Sequence, residues 1–388
     1  MRGGEAAILC VVGARPNFMK IAPVMAALRA TPGLEARLLH TGQHYDLDMN
    51  ERFFEQLGIP RPDINLEVGS SSHAVQTAEI MQRVEPVLDR ERPAALLVVG
   101  DVNSTIACAL VAVKKGIPVA HVEAGLRSYD RAMPEEINRV LTDQISHWLF
   151  TTERKAKDNL LREGIDAANI HFVGNVMIDT LLGHRRRAVP AAATLAAAPD
   201  PQVFLSGPHG FGVVTLHRPS NVDDHEVLRR LLTTLQQISA KLPLVFPLHP
   251  RTAGHVEAAG LESLLATPRI LRLPPLGYLE MLGLMSAARL VLTDSGGMQE
   301  ETTALGVPCL TLRENTERPI TVEEGTNTVV GTDPVRIERA AAEILAGGGK
   351  AGRAPALWDG RAAERIAAVL RRDLSGGLAA ARSAAAGE

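Results

Sequence analysis

The sequence predicts an α/β protein of two domains, each built on a parallel β-sheet. The chain has 388 residues, more than one ordinary hydrophobic core needs and enough for two. Short apolar runs alternate with amphipathic stretches, which is typical of βα units on a parallel sheet. The same alternation returns in the second half of the chain without a residue-level repeat.

The composition argues against several classes of protein. A hydrophobic fraction of 46% and a charged fraction of 22% fit a globular protein, and the net charge of −3 predicts no nucleic-acid partner. No apolar run approaches transmembrane length, so no membrane partner is expected. Cys10, Cys108 and Cys309 lie far apart in apolar runs, which favours reduced thiols and a cytoplasmic location. The spacing of His and Cys predicts no metal site.

In the first half of the chain, residues 6–13 predict a buried strand and residues 19–31 the helix that follows it. The stretches EARLLHTG, ALLVVGD and PVAHVEAG predict further strands, and TIACALVAVKKG predicts a helix between the last two. The first apolar run is followed by Gly-Ala-Arg-Pro rather than by a small-residue cleavage site. We therefore interpret it as a strand and not as a signal peptide.

The second half predicts strands at FGVVTLHR, LVFPLHPR, ARLVLTDSGG, PCLTLRE and TNTVVG. Residues 185–202, rich in Ala and Pro, predict a surface connection or a poorly ordered loop. We expect an N-terminal domain over residues 1–174 and a C-terminal domain over residues 175–360. Residues 361–388 predict a helix and tail that pack back on the N-terminal domain.

Polar residues follow most of these strands, at the sheet edge where open α/β folds bind ligands. They are Arg15, Gln43, Asp101, Glu123, His217, His249 and Ser295. Arg15 can bind a phosphate or carboxylate through two parallel hydrogen bonds, and Lys20 follows it by about one helical turn. The alternative is a strand–helix loop with two surface cations. The stretch is not Gly-x-Gly-x-x-Gly, so it does not indicate a dinucleotide.

Three carboxylates are candidates for acid–base chemistry. Asp101 ends a strand and opens a helix, where it could equally be part of an N-cap turn. Glu123 ends an otherwise apolar strand, where a carboxylate is costly unless it has a partner. Glu135 opens a helix beside Glu136, and acidic residues also favour the helix dipole there. His217 follows a strand and can act as an acid, a base or a structural hydrogen-bond donor, as can His249.

The stretch LTDSGGMQEE predicts an anion site rather than a nucleophile. It lacks the glycine that precedes the serine in a nucleophile elbow. Ser295, Gly296 and Gly297 instead place backbone N–H groups at a helix N-terminus, where the dipole favours a diphosphate. Glu301, one turn further on, could accept hydrogen bonds from ribose hydroxyls, and Arg318 could close over the phosphate.

Together, the stretches GARPNFMK, TGQHYD, GDVNST, HVEAGLRS, MPEEINR, GNVMIDTLL, TLHR, LTDSGGMQEE and TERP resemble the non-hydrolysing UDP-N-acetylglucosamine 2-epimerases. The resemblance extends from about Ile8 to Gly331 and so covers nearly the whole chain. It implies two Rossmann-like domains facing across a cleft, the glycosyltransferase-B arrangement, in a homodimer. The implied activity interconverts UDP-GlcNAc and UDP-ManNAc without a cofactor.

The resemblance also implies roles for individual residues. Asp101, Glu123 and Glu135 are the implied catalytic carboxylates, and His217 handles proton transfer or the leaving diphosphate. A base removes the proton from sugar C2 while UDP leaves C1, and UDP adds back to the glycal after C2 is protonated on its opposite face. The implied substrate-binding residues are Arg15, Lys20, Gln43, Arg139, Leu276, Met281, Ser295, Gly296, Gly297, Glu301 and Arg318.

Several alternatives stay open at this point. A related epimerase acts on a UDP-linked diacetamido uronic acid, whose extra carboxylate would need a cation such as Arg127 or Arg131. A glycosyltransferase of the same build, a hydrolysing epimerase and a nucleotide-sugar sensor are the others. Asp46 stands where some bacterial members have a glutamine at an allosteric UDP-GlcNAc site, which puts activation by substrate in question.

Overall fold

A computed structural model describes residues 5–42 and 55–385, without the side chains of residues 15–16 and 376–385. The predicted site residue Gln43 lies outside these described residues. The chain divides into two compact units. Unit 1 comprises Met1–Gly183 and Ala356–Glu388, and unit 2 comprises His184–Pro355.

Unit 1 has a parallel sheet with seven strands among the described residues. They are β1 (Ala6–Val12), β2 (Leu34–His40), β3 (Ile64–Asn65), β4 (Ala95–Val99), β5 (Val119–Val122), β6 (Trp148–Thr151) and β7 (Ile170–Phe172). Their order is β3-β2-β1-β4-β5-β6-β7, with every neighbouring pair parallel. The helices between them are α1 (Arg15–Ala30), α2 (His73–Glu91), α3 (Asn103–Lys114), α4 (Pro134–Ile145), α5 (Arg154–Arg162) and α6 (Val176–His184).

Unit 2 repeats the plan with six described strands. They are β8 (Gly212–Thr215), β9 (Leu244–Pro247), β10 (Ile270–Leu273), β11 (Leu290–Thr293), β12 (Cys309–Thr311) and β13 (Asn327–Val329). Their order is β10-β9-β8-β11-β12-β13, again parallel. The helices are α7 (Ala191–Leu195), α8 (Gln202–Leu205), α9 (Pro219–Val222), α10 (His225–Ser239), α11 (Pro250–Ala258), α12 (Glu262–Leu265), α13 (Tyr278–Ala287), α14 (Gly296–Leu305), α15 (Pro319–Glu323) and α16 (Pro334–Leu345).

The apolar runs of the sequence become the central strands of these sheets. Every residue of β4, β9 and β11 is buried. Strands covered by helices on both faces are expected to be continuously apolar rather than alternating. The scarcity of aromatic residues is met by cores of Leu, Val, Ile and Ala in both units.

Strand order reverses once in each sheet, and this reversal locates the candidate sites. In unit 1 the chain leaves β1 towards β2 on one side and later returns to β4 on the other. In unit 2 the same reversal falls between β8 and β11. Ligands of doubly wound sheets bind beyond the carboxyl ends of the strands at such a point. The residues that follow β1, β4, β8 and β11 are therefore the candidate ligand-binding residues.

The Ala- and Pro-rich stretch 185–202 is mostly exposed, as predicted for a surface connection, but it is partly helical and not a poorly ordered loop. It contains α7 and leads into α8, and Leu195 and Phe204 are buried in an apolar cluster of unit 2. Gly283 of α13 packs so closely against it that a Cβ would lie 1.7 Å from the Val189 carbonyl oxygen. A few apolar anchors outweigh the loop-like composition, because burial stabilises more than local propensity opposes.

The final helix, α17 (Ala362–Ala385), packs against α1 within unit 1. The carboxylate of Asp179 in α6 accepts hydrogen bonds from the backbone N–H groups of Ala362 and Ala363, at 3.1 and 2.7 Å. Burial raises the pKa of Asp179 to about 6. In the described part of the chain, no helix combines the length and apolar character needed to cross a membrane.

Candidate active site

At the reversal in unit 1, the turns after β1 and β4 are bound to each other by Asn17. Its Oδ1 accepts the backbone N–H groups of Gly13 and Ala14, and its Nδ2 donates to the Val99 carbonyl oxygen at 2.9 Å. Helix α1 begins at Arg15, earlier than the predicted residue 19, because proline is well tolerated in a first turn. Arg15 is therefore the first residue of this helix, which is the backbone position that the predicted anion site needs.

Glu123 has the ionic partner that its apolar surroundings demand. Its carboxylate is 2.5 Å from Nζ of Lys20, and both side chains are buried. Glu123 has a φ of 71°, in the left-handed region that few non-glycine residues adopt. Gly100, with a φ of 68°, makes room, since a Cβ there would be 2.9 Å from Nζ of Lys20. Lys20, which the sequence predicts to bind substrate, therefore forms a buried ion pair with Glu123.

Asp101 is held by the first turns of α4. Its Oδ2 is 2.6 Å from Nη2 of Arg139, and its carbonyl oxygen accepts from Asn138 at 2.9 Å. The buried guanidinium of Arg139 also pairs with Glu136. Glu136 accepts the backbone N–H groups of the preceding loop, which leaves Glu135 as the half-buried carboxylate of that turn. Arg139 is placed behind Asp101, where it orients the carboxylate.

At the reversal in unit 2, His217 and Asp294 lie side by side. Nδ1 of His217 is 2.8 Å from Oδ1 of Asp294, and the backbone N–H groups of His217 and Arg218 donate to the same carboxylate. Burial alone would raise the pKa of Asp294, but the hydrogen bond and charge of His217 outweigh it and the pKa lies below its ordinary value. The carboxylate only accepts, so Nδ1 carries the hydrogen and Nε2 stays available to a ligand. His249 instead caps α11.

Helix α14 begins directly after Ser295, as the anion-site prediction requires. A Cβ at Gly296 would lie 2.6 Å from Oε1 of Glu317, so only glycine lets this carboxylate approach the helix N-terminus. Three arginines surround Glu317: Arg313 at 2.8 Å, Arg218 at 3.4 Å and Arg318. Burial alone would raise the pKa of Glu317, but these charges outweigh it and the pKa lies far below its ordinary value.

The same helix carries two buried carboxylates with different partners. Oε1 of Glu300 is 2.9 Å from Nε of Arg318, and Oε1 of Glu301 accepts from the Tyr278 hydroxyl at 2.9 Å. Leu276 and Met281 flank Tyr278 in the chain and pack at the edge of an apolar cluster. Unit 2 therefore contains an apolar surface at Leu276 and Met281, a carboxylate at Glu301 that accepts a hydroxyl hydrogen bond, and a helix N-terminus at Gly296.

Glu301 gives a pH prediction. Burial raises its pKa to about 7, the Tyr278 hydrogen bond opposes this, and the charge of Glu300 adds to it. If Glu301 accepts ribose hydroxyls, as the resemblance implies, binding favours its ionised form. The affinity for a UDP-linked ligand should then rise between about pH 6 and 8, and binding should release protons. Calorimetry in buffers of different ionisation enthalpy measures this, using a catalytically impaired variant. Glu301→Gln should remove the pH dependence, and an unchanged dependence in that variant would assign it to another group.

Sequence reasoning missed the partners of the predicted residues. Asn17, Asp294 and Glu317 were all inside the quoted motifs, yet none carried a signal that set it apart from its neighbours. Among the described residues, no group of three or more His, Cys, Asp or Glu side chains is placed to hold a metal ion.

Comparison with known proteins decides the family. A family model described as UDP-N-acetylglucosamine 2-epimerase matches residues 26–371. The chain belongs to the UDP-N-acetylglucosamine 2-epimerase family. The UDP-N-acetylglucosamine 2-epimerase of Methanocaldococcus jannaschii is 42% identical over 367 residues, which are 93% of this chain and 97% of the relative.

One further relative and one solved structure of this epimerase family are informative. The UDP-2,3-diacetamido-2,3-dideoxy-D-glucuronate 2-epimerase of Pseudomonas aeruginosa is 44% identical over 327 residues, 84% of this chain and 88% of the relative. The crystal structure of the M. jannaschii UDP-GlcNAc 2-epimerase in complex with UDP-GlcNAc and UDP has a TM-score of 0.85 at 40% identity. It covers 94% of this chain and 99% of its own.

These findings confirm the predicted family, the enzyme class and the fold class. The chain is an epimerase of the isomerase class, with two parallel α/β sheets of the glycosyltransferase-B type.

Proposed function

We propose that this protein interconverts UDP-N-acetylglucosamine and UDP-N-acetylmannosamine at sugar C2, by loss and re-addition of UDP through a glycal. The observation that carries the proposal is membership of the epimerase family over residues 26–371. The reaction needs cations and N–H donors around a leaving diphosphate, and acid–base groups at C2. Unit 2 offers the first set and unit 1 the second.

In the proposed mechanism, the N-terminus of α14 and Arg318 stabilise negative charge as the C1–O bond breaks. His217 acts at the same group through Nε2, because Asp294 occupies Nδ1 and fixes the ring. A hydrogen-bond donor that is already fixed in place needs little reorganisation free energy when negative charge develops. Such donors therefore lower the activation free energy efficiently. Ser295, Gly296 and Gly297 supply the backbone N–H groups.

Asp101, Glu123 and Glu135 are the proposed acid–base groups at C2. Asp101 is oriented by Arg139, and Glu123 by Lys20. The carboxylate that has taken the proton from one face of C2 must be matched by a group that delivers a proton to the other face. Two separately oriented carboxylates at the ends of neighbouring strands β4 and β5 suit that demand.

A second candidate is epimerisation of a UDP-linked diacetamido uronic acid, favoured by the 44% identity to the P. aeruginosa relative. Its additional carboxylate would need a cation. Arg127, one of the two candidates from sequence, is buried and paired with Asp143 and Glu163. Arg131 is exposed and is the remaining candidate of the two. Because Arg127 is already paired with two carboxylates, it is poorly placed to bind a third one on the substrate. This favours a sugar without the additional carboxylate.

The test is incubation with UDP-GlcNAc in deuterated water. We expect deuterium at C2 of a sugar still attached to UDP, in a mixture of UDP-GlcNAc and UDP-ManNAc. Release of free sugar would indicate hydrolysis, and no reaction without an acceptor would indicate a transferase. The same assay with the UDP-linked diacetamido uronate tests the second candidate. Faster turnover of that substrate than of UDP-GlcNAc would favour the second candidate function.

We further propose a cytoplasmic homodimer. Ile137 and Leu141 of α4, 48% and 51% exposed, give unit 1 an apolar surface suited to a second copy. The buried thiols of Cys10, Cys108 and Cys309 suit a reducing compartment. Sedimentation equilibrium measures the oligomeric state.

A further inference from the structure

His121 is a buried residue of β5 for which the proposed mechanism has no role. It lies two residues before Glu123, and its side chain is fully shielded from solvent. Its Nε2 is 2.8 Å from the carbonyl oxygen of Gly100, and its Nδ1 is 2.7 Å from Oδ1 of Asp143. A carbonyl oxygen only accepts hydrogen bonds, so Nε2 carries a hydrogen. The state of Nδ1 then decides the charge of the ring.

The surroundings of Asp143 show which state that is. Its Oδ2 accepts the backbone N–H of Gly125 at 3.0 Å and lies 2.7 Å from Nη2 of Arg127. The guanidinium of Arg127 lies directly against this carboxylate and favours its ionised form. An ionised carboxylate surrounded by donors accepts from Nδ1 as well. Both ring nitrogens of His121 therefore face acceptors and carry hydrogens.

We infer that His121 is held as an imidazolium ion, and that its pair with Asp143 positions the turns that carry Asp101 and Glu123. Nε2 holds the carbonyl oxygen of the residue immediately before Asp101. The carboxylate of Asp143 holds the backbone N–H of the second residue after Glu123. One ion pair therefore holds both turns in place. The catalytic consequence rests on the proposed function, whereas the protonation state of His121 does not.

The neighbouring charges allow this cation to persist. Asp143 also pairs with Arg127, and Arg127 pairs with Glu163, so positive and negative groups alternate along the cluster. On the Gly100 side, Lys20 pairs with Glu123, and Arg139 pairs with both Asp101 and Glu136. A buried charge is tolerated only when it is paired and hydrogen-bonded, as this one is.

The charge of His121 can be measured directly. Nitrogen-15 NMR of the histidine-labelled full chain at neutral pH should show both of its ring nitrogens at imidazolium shifts. The signal is assigned by its absence from His121→Gln. A neutral-tautomer spectrum for His121 would overturn the inference, whatever the enzyme's substrate proves to be.

The positioning role is tested with Asp143→Asn and the matched control Glu163→Gln, which also removes one carboxylate from Arg127. In Asp143→Asn, His121 should become neutral, and kcat should fall by about 10²-fold, as for small displacements of reacting groups. The KM for UDP-GlcNAc should change by less than about threefold, because the diphosphate residues lie in unit 2. Glu163→Gln should keep the wild-type kcat and imidazolium signal.

The outcomes separate the two proposals. An unchanged kcat in Asp143→Asn, or equal losses in both variants, would overturn the positioning role. If wild-type protein does not epimerise UDP-GlcNAc at all, the proposed function fails. The NMR measurement on wild-type protein still decides the protonation state in that case, also if Asp143→Asn does not fold.

Discussion

Replacing Asp101 by Asn or Glu123 by Gln is expected to lower kcat by a factor of about 10²–10⁴, the usual contribution of a general acid or base. Each change keeps the shape of the side chain and a hydrogen-bond acceptor for the partner, Arg139 or Lys20. Each removes the ability to exchange a proton near neutral pH. Conversion of UDP-GlcNAc, followed by NMR, measures the effect.

UDP should still bind to both variants, since the residues proposed for the diphosphate belong to unit 2. Glu85→Gln is the matched control, because Glu85 is an exposed carboxylate of α2 that pairs with Lys115. Removing Glu123 leaves Lys20 buried with a neutral partner, so thermal unfolding must show that the variant is folded at the assay temperature. Turnover close to wild type in a folded variant would remove that residue from the chemistry.

Replacing Arg318 by Ala is expected to weaken UDP binding by about 1.5–3 kcal/mol, the contribution of a charge-assisted hydrogen bond. That corresponds to roughly a 10- to 150-fold increase in Kd. Arg318 is buried beside Glu300 and Glu317, and Glu317 in turn lies against Gly296 at the N-terminus of α14. Isothermal titration calorimetry with UDP measures the change.

Arg318→Lys separates the charge from the planar fork, because lysine keeps the charge but cannot make two parallel hydrogen bonds. We expect it to lie between Ala and wild type. Arg353→Ala is the control, since Arg353 is exposed and pairs only with Glu324 among the described residues. Equal Kd values for UDP in wild type and Arg318→Ala would place Arg318 outside the phosphate site.

Much of the fold could be predicted from the sequence because its signals are local. The runs ALLVVGD and ARLVLTDSGG became β4 and β11 with the expected polar residues after them. The stretch 185–202 is a surface connection as predicted, but a composition rich in Ala and Pro does not show that it contains α7 or that Leu195 is buried. Helix α1 also begins earlier than predicted, at Arg15, because Pro16 fits a first helical turn.

The candidate site was predicted as single residues rather than as pairs. Lys20 and Arg139 were predicted as substrate-binding residues without partners in the protein, and the structure pairs them with Glu123 and Asp101. Their contact with substrate stays a prediction. The sequence pattern does not show that the helix after β1 meets the turn after β5. That information resides in the strand order, which brings β1 beside β4 and β4 beside β5.

The sequence by itself determined the βα rhythm, the two-domain plan and the family, because apolar periodicity and motif spacing act within short stretches of chain. Tertiary structure alone decided which charges neutralise each other. Lys20 and Glu123 are 103 residues apart, and His217 and Asp294 are 77 apart. A buried ion needs a partner within a few ångströms, and only the folding of distant strands into one sheet brings such partners together.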